Sequence, residues 1–153
     1  MGCIKAICIS ERRGTEKKPI SSAELIENFG IRGDAHAGNW HRQVSLLSYE
    51  AIEDFKSDGA DVHDGSFGEN IIAEGIDWDK ILPGVRLSCS NAILEITQIG
   101  KECHSHCEIF KKMGVCIMPK KGVFAKVIKG GVIHVGDKID IIDKQADWGD
   151  FSV

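Results

Sequence analysis

The chain has 153 residues, with 19 Lys or Arg against 23 Asp or Glu for a formal charge of −4, and 42% hydrophobic residues. A single domain of this size buries roughly 70% of its unfolded surface, so a core forms without disulfide or metal staples. Six cysteines fall below the ~8–10% of residues typical of a disulfide-stapled secreted scaffold, and the mild acidity, with no basic stripe, speaks against a nucleic-acid binder.

The N-terminal residues show no charged leader followed by a long apolar run, and no apolar run approaches the ~18 residues of a membrane span. A reducing cytoplasm is therefore expected, with no membrane partner and with thiols free for chemistry or metal. Met1-Gly2-Cys3 raises acylation, but the myristoylation pattern wants Ser or Thr where Ala6 stands.

In chain order, residues 3–9 alternate Cys3, Lys5, Ile7 and Ile9 against Ile4, Ala6 and Cys8 and predict a buried first strand. Residues 11–19 read as a polar, basic loop. Residues 44–48 predict a strand, after which Ser48 N-caps a short helix with Ala51, Ile52 and Phe55 on one face. Leu47 and Ile52 are placed to form a hydrophobic staple. Further strands are predicted over 70–73, 85–88, 92–98, 123–128 and 138–142, bounded by Gly65, Gly68, Pro83-Gly84, Gly130-Gly131 and Gly136. Gly130-Gly131 reads as a tight hairpin, and a second helix within 104–113 would carry Ile109, Phe110 and Met113 on one stripe. This regular spacing predicts a mainly β fold, a closed or nearly closed barrel with a few short helices. It would occupy residues 1–143, followed by a polar tail over 144–153 that includes Trp148 and Phe151.

The densest polar constellation is Cys103-His104-Ser105-His106-Cys107, with Cys116 nearby. Cys103 follows a predicted strand and precedes a predicted helix, where the macrodipole and neighbouring Lys101 favour thiolate, the form that attacks or binds a soft metal. Two alternatives stand beside this: a zinc-binding structural or interaction module using Cys103, His106, Cys107 and Cys116, and a thiol redox switch pairing Cys103 with Cys107 or Cys116. Cys3, Cys8 and Cys89 lie in strand-like runs and are expected in the core. A second constellation, Gly33-Asp34-Ala35-His36-Ala37-Gly38 with Arg42 beyond, suits a tight turn that exposes backbone N–H groups to an anion, with Arg42 as a planar fork. An ordinary turn, Asp34 satisfying local backbone and His36 hydrogen-bonded within it, reads equally well. Glu69 and Asn70 put an acid and an amide at the start of a strand.

Together these segments resemble a MOSC domain, the module named for the C-terminal part of molybdenum cofactor sulfurases. The resemblance rests on Gly30-Ile31-Arg32-Gly33-Asp34-Ala35-His36-Ala37-Gly38, on Phe67-Gly68-Glu69-Asn70-Ile71, on Thr97-Gln98 leading to Cys103, and on Gly122-Val123-Phe124-Ala125-Lys126-Val127 with Gly130-Gly131 and Val135-Gly136-Asp137. It implies a barrel of the pyruvate kinase β-barrel type. It also implies that Cys103 is a molybdenum or sulfur ligand for a bound molybdopterin. Gly33, Asp34, His36, Gly38, Arg42, Glu69, Asn70 and Lys101 would line the cofactor site, with Arg42, Lys101 and the glycine turn offered to its phosphate. Many members carry Pro-Arg-x-Pro before the cysteine, whereas this chain has Ile99-Gly100-Lys101-Glu102, similar to the branch found beside molybdopterin adenylyltransferase-like proteins. That branch implies a role in cofactor maturation or delivery with such partners, while other members imply reduction of N-hydroxylated compounds. Pyridoxal phosphate belongs to a separate domain of the large sulfurases and is not expected here.

Overall fold

The computed structural model describes residues 2–13, 15–100 and 122–142. Short alternating segments give eleven strands among these residues: β1 (Gly2–Ile9), β2 (Lys18–Ile20), β3 (Ser22–Ile26), β4 (Gly30–Ile31), β5 (Val44–Ser48), β6 (Ile71–Glu74), β7 (Arg86–Cys89), β8 (Ala92–Ile99), β9 (Val123–Lys129), β10 (Gly131–His134) and β11 (Lys138–Ile141). One helix, α1 (Tyr49–Ser57), and a 3₁₀ turn (Trp78–Lys80) complete the described elements.

Seven strands close into a barrel in the order β11-β7-β8-β9-β5-β6-β1, sealed by β1 pairing with β11 through Gly2↔Ile139 and Cys3↔Lys138. Closure removes the unpaired edges that an open sheet would leave. The far end of β1 instead pairs with β2, and a separate three-stranded sheet, β10-β3-β4, lies beside the barrel. Strands β5 and β6 are parallel, and α1 supplies the crossover that such a pair needs.

Helix α1 begins as its sequence dictates: Ser48 is extended, its Oγ accepts the Ala51 N–H at 3.1 Å, and Leu47 and Ile52 share one buried cluster. Two cores follow from the alternation of side chains. Ile4, Ile7, Leu46, Ile71, Leu94 and Ile139 fill the barrel interior, while Ala6, Cys8, Leu47, Ile72 and Phe124 face outward to pack with Ile52 and Phe55 of α1. Cys8 and Cys89 are fully buried and burial pushes both thiols up to about 12; Cys3 is half-buried.

The expected strict alternation of β1 is broken. Its register against β6 shifts between Ile4 and Ala6, so Ile4 joins Ile7 inside the barrel while Ala6 and Cys8 point outward. A bulge of this kind inserts one residue and reverses parity beyond it. The expected Gly130-Gly131 hairpin is also corrected. Strand β9 is already paired on both sides, by β5 and β8, and β10 pairs with β3. Neither glycine has the positive φ that a type I′ turn demands. A Cβ on Gly130 would sit 2.6 Å from the Leu25 carbonyl oxygen, so this glycine permits a close backbone approach to β3. The strands β2, β3, β4 and β10 had no counterpart among the predicted elements. The expected helix over 104–113 and the tail over 144–153 lie outside the described residues.

Asn70 ties the barrel wall together. Its Nδ2 donates to the Cys8 carbonyl at 3.0 Å and its Oδ1 accepts the Ser45 N–H at 2.9 Å, so one fully buried amide bridges β1 and β5. Asn70→Ala leaves both backbone groups buried without these partners and is expected to lower unfolding free energy by about 2–4 kcal/mol, measured by urea denaturation.

Candidate functional site

The polar centre is built around Lys17, which the sequence places in a basic loop beside Lys18 and which the structure buries to 1% exposure. Its Nζ donates to Asp34 Oδ1 at 2.7 Å and Ser10 Oγ at 3.1 Å, and lies 2.9 Å from His36 Nδ1. Three acceptors match the three protons of an ammonium. His36 Nδ1 then accepts, which assigns the proton of the neutral imidazole to Nε2. Asp34 completes the lock: Oδ1 also accepts the Ser10 N–H and Oδ2 the His36 N–H. Both side chains of this pair are fully enclosed. An ion pair so buried offsets its desolvation cost only when its remaining hydrogen-bonding capacity is used, as it is here.

Gly65 and Glu69 support this centre from beneath. The Lys17 N–H donates to the Gly65 carbonyl at 3.0 Å. Gly65 has φ +92°, and a Cβ there would stand 1.8 Å from the Lys17 carbonyl oxygen, so only glycine fits. The Glu69 carboxylate accepts the N–H groups of Gly65 at 3.1 Å and Phe67 at 3.0 Å. Burial raises the pKa of Glu69, against the lowering effect of these backbone bonds.

The loop over 33–42 presents the outer layer. Trp40 donates from Nε1 to the His36 carbonyl at 2.7 Å and stacks on the His36 ring at 6.4 Å. The Arg13 guanidinium covers Trp40 at 4.9 Å, and its Nε donates to the Ala35 carbonyl. Further along, His41 Nε2 and Arg42 Nε converge on Gln98 Oε1 at 2.9 and 3.1 Å, and the Arg42 guanidinium lies over Phe124. Thr97 Oγ1 adds a bond to the His41 carbonyl. Gln98 Nε2 donates to Gly100, whose own N–H donates to the Gly122 carbonyl at 2.6 Å. Residues 101–121 therefore leave from, and return to, a hydrogen-bonded base beside Arg42 and Gln98.

Gly33, Asp34, His36 and Gly38 thus share one loop, joined to Arg42 through Trp40 and His41. The expected exposure of backbone N–H groups is corrected: those of Asp34, Ala35, His36, Ala37 and Gly38 donate to Ile31, Ser10, the Asp34 carboxylate, Asp34 and Phe29. Cationic side chains, and not the turn backbone, are the donors this face offers. Glu69 and Asn70, expected to line a cofactor site, are fully buried with side chains committed to backbone, and act as struts below the loop. Lys101, Cys103, His106, Cys107 and Cys116 lie outside the described residues. Among the described residues no group of three His, Cys, Asp or Glu is arranged to hold a metal ion, and no helix is long and apolar enough to cross a membrane. Lys17 and Gln98 were the residues missed as site members. Nothing in Lys17-Lys18-Pro19 tells the buried lysine from its exposed neighbour, whereas Gln98 had one signal, its place at the end of a strand leading to Cys103.

The described strands form a closed barrel with a locked Lys-Asp-His network under one rim loop. The sequence pattern of the MOSC domain matches residues 33–140, and the chain belongs to the MOSC domain family. Solved structures agree in fold. The YuaD protein from Bacillus subtilis is 18% identical, with a TM-score of 0.75 over 91% of this chain and 94% of that one. YiiM from Geobacillus stearothermophilus is 16% identical, with a TM-score of 0.70 over 96% and 78%, and YiiM from Escherichia coli is 15% identical, with a TM-score of 0.65 over 95% and 72%. No protein of curated function matches the chain in sequence.

Two predictions follow from the buried network. Lys17→Met strands the Asp34 carboxylate and is expected to cost about 3–5 kcal/mol of stability, with the Lys17→Met/Asp34→Asn double losing less than the sum of the singles; chemical denaturation of the four proteins measures both. Glu69 has a folded pKa above its ordinary value of 4.5, so the folded state binds the extra proton. Its stabilising contribution is full below pH 4.5 and is lost as pH rises through the raised value. The stability of the native protein relative to Glu69→Gln is therefore expected to fall across that window in urea titrations at stepped pH.

Proposed function

We propose that the protein binds molybdenum cofactor or a precursor of it, on the face formed by the 33–42 loop and the base of residues 101–121, with Cys103 as the molybdenum or sulfur ligand. Within a MOSC family chain, the observation that carries this reading is the convergence of His41 and Arg42 on Gln98, two residues before Gly100. The Arg42 guanidinium stands there at the root of the segment that bears Cys103. Cys103 follows Gly100 by three steps along the chain, a tether of at most about 11 Å.

The donor chemistry fits the group. A pterin phosphate wants Arg or Lys with N–H donors, and Arg42, engaged through Nε alone among described partners, retains its terminal nitrogens for such an anion. Arg13 and Lys101 extend the positive set. Lys17 and Asp34 hold His36 in place, through its ring Nδ1 and its backbone N–H. When bound, the cofactor supplies a metal that exchanges oxygen or sulfur ligands; the Cys103 thiolate would be the protein's own ligand for it. This activity places the protein in cofactor maturation or delivery, with molybdopterin adenylyltransferase-like or other cofactor-biosynthesis proteins as partners, or in cofactor-dependent reduction of N-hydroxylated compounds with electrons from another protein.

Molybdenum and pterin are expected to co-purify with the protein from a molybdate-supplied host and to be lost in Cys103→Ser, by elemental analysis and extraction of the pterin. Arg42→Ala is expected to lower pterin retention about tenfold or more. Retention of both components at wild-type occupancy by Cys103→Ser would falsify the ligand assignment.

A further inference from the structure

On the α1 side of the barrel, α1, the Trp78–Lys80 turn and the facing ends of β8 and β9 enclose a groove of about 520 Å³. Its floor is apolar: Phe55 and Val123 are buried, while Ile99 keeps 40% of its surface exposed. Its rim is acidic. Asp54 on α1 and Asp58 at its C-cap stand four residues apart, and Asp79 of the 3₁₀ turn shares the rim with them. Glu50, also on this rim, is spent within the fold, with Oε2 accepting the Gly75 N–H and Oε1 the Ser48 hydroxyl. No described cation lies within ion-pair distance of Asp54, Asp58 or Asp79. In one wall, Trp78 Nε1 is the buried side-chain nitrogen that, among the described residues, finds no hydrogen-bond partner.

A phosphate-bearing ligand would be repelled by three free carboxylates, so this groove is no extension of the cofactor face. Its charge calls for a cation and its floor for an apolar body. Carboxylates four residues apart on a helix lie about 6 Å from one another along its axis, the same interval that separates lysines or arginines at i and i+4 of a second helix. We propose that the groove docks a basic amphipathic segment of a partner protein, with its apolar side chains on Phe55, Trp78 and Ile99 and its cations on Asp54, Asp58 and Asp79. The mode is helix-in-groove recognition with an electrostatic rim.

The full-length protein is titrated with a fluorescein-labelled leucine–lysine peptide about 15 residues long, its lysines at i and i+4, by anisotropy and by the indole N–H resonance of Trp78, assigned through Trp78→Phe. Micromolar binding that moves the Trp78 resonance and weakens with salt is expected. Asp54→Lys/Asp58→Lys should weaken it about tenfold or more, Ile99→Asp should weaken it through the floor, and Glu27→Lys/Asp61→Lys, with the same change in net charge outside the groove, should leave it within about twofold. Equal losses in the two lysine doubles would show charge attraction without a site and overturn the proposal. A Trp78 resonance that does not move overturns it too, including the case in which residues 101–121 with their own lysines already hold the groove.

Discussion

The rim of the barrel depends on one buried ammonium. Lys17 contributes three N–H bonds, one to Ser10 just past β1 and two into the rim loop, to Asp34 and the His36 ring. Charge is costly to bury, so a group of this kind is stable only where every proton has a partner. The requirement runs outward. Asp34 must be a carboxylate beside it, and Gly65 must lack a side chain behind it. Glu69 must hold the Gly65 N–H in place. A single cation thus ties the end of β1, the rim loop and the 65–69 turn to its own segment, and the rim loop, with few apolar residues of its own, inherits order from it.

The barrel itself follows a different logic, one of parity. Apolar residues on both faces of β1, β5, β6 and β9 serve the interior and the α1 layer at once, and the bulge between Ile4 and Ala6 lets one strand satisfy both. Shifting parity within a strand without breaking its pairing to β6 is what a bulge provides. Asn70 supplies the polar counterpart, its side chain adding bonds to Cys8 and Ser45 beside the backbone bonds it makes to the same two residues.

Much of this was legible before any coordinates. Ser48, Leu47 and Ile52 announce α1 because capping and stapling are local, decided within five residues. The strands with long apolar runs were equally plain, since burial on both faces leaves a continuous signal. What escaped was non-local. Gly130-Gly131 carries the composition of a hairpin, yet Gly130 is there because the Leu25 carbonyl oxygen crowds it from another sheet. The short strands β2, β4 and β10 have few apolar residues to mark them, and β10 gains its pairing from β3, about a hundred residues back along the chain. At the site, the grouping of Asp34 with His36 was readable from spacing, while Lys17 was not, because a buried lysine differs from a surface one only in what surrounds it. Glu69 and Asn70 stood out as polar residues at a strand start, and polarity alone does not distinguish a ligand contact from a strut.

The bond from the Gly100 N–H to the Gly122 carbonyl closes the base of residues 101–121 within the sheet. Once the two ends of a segment are joined by the framework, the entropic cost of its length grows only logarithmically, by about 0.6 kcal/mol for each doubling. The barrel is therefore nearly indifferent to how long that segment is or what it carries. A framework closed in this way accommodates a stretch of different length at the same place with little cost to the fold.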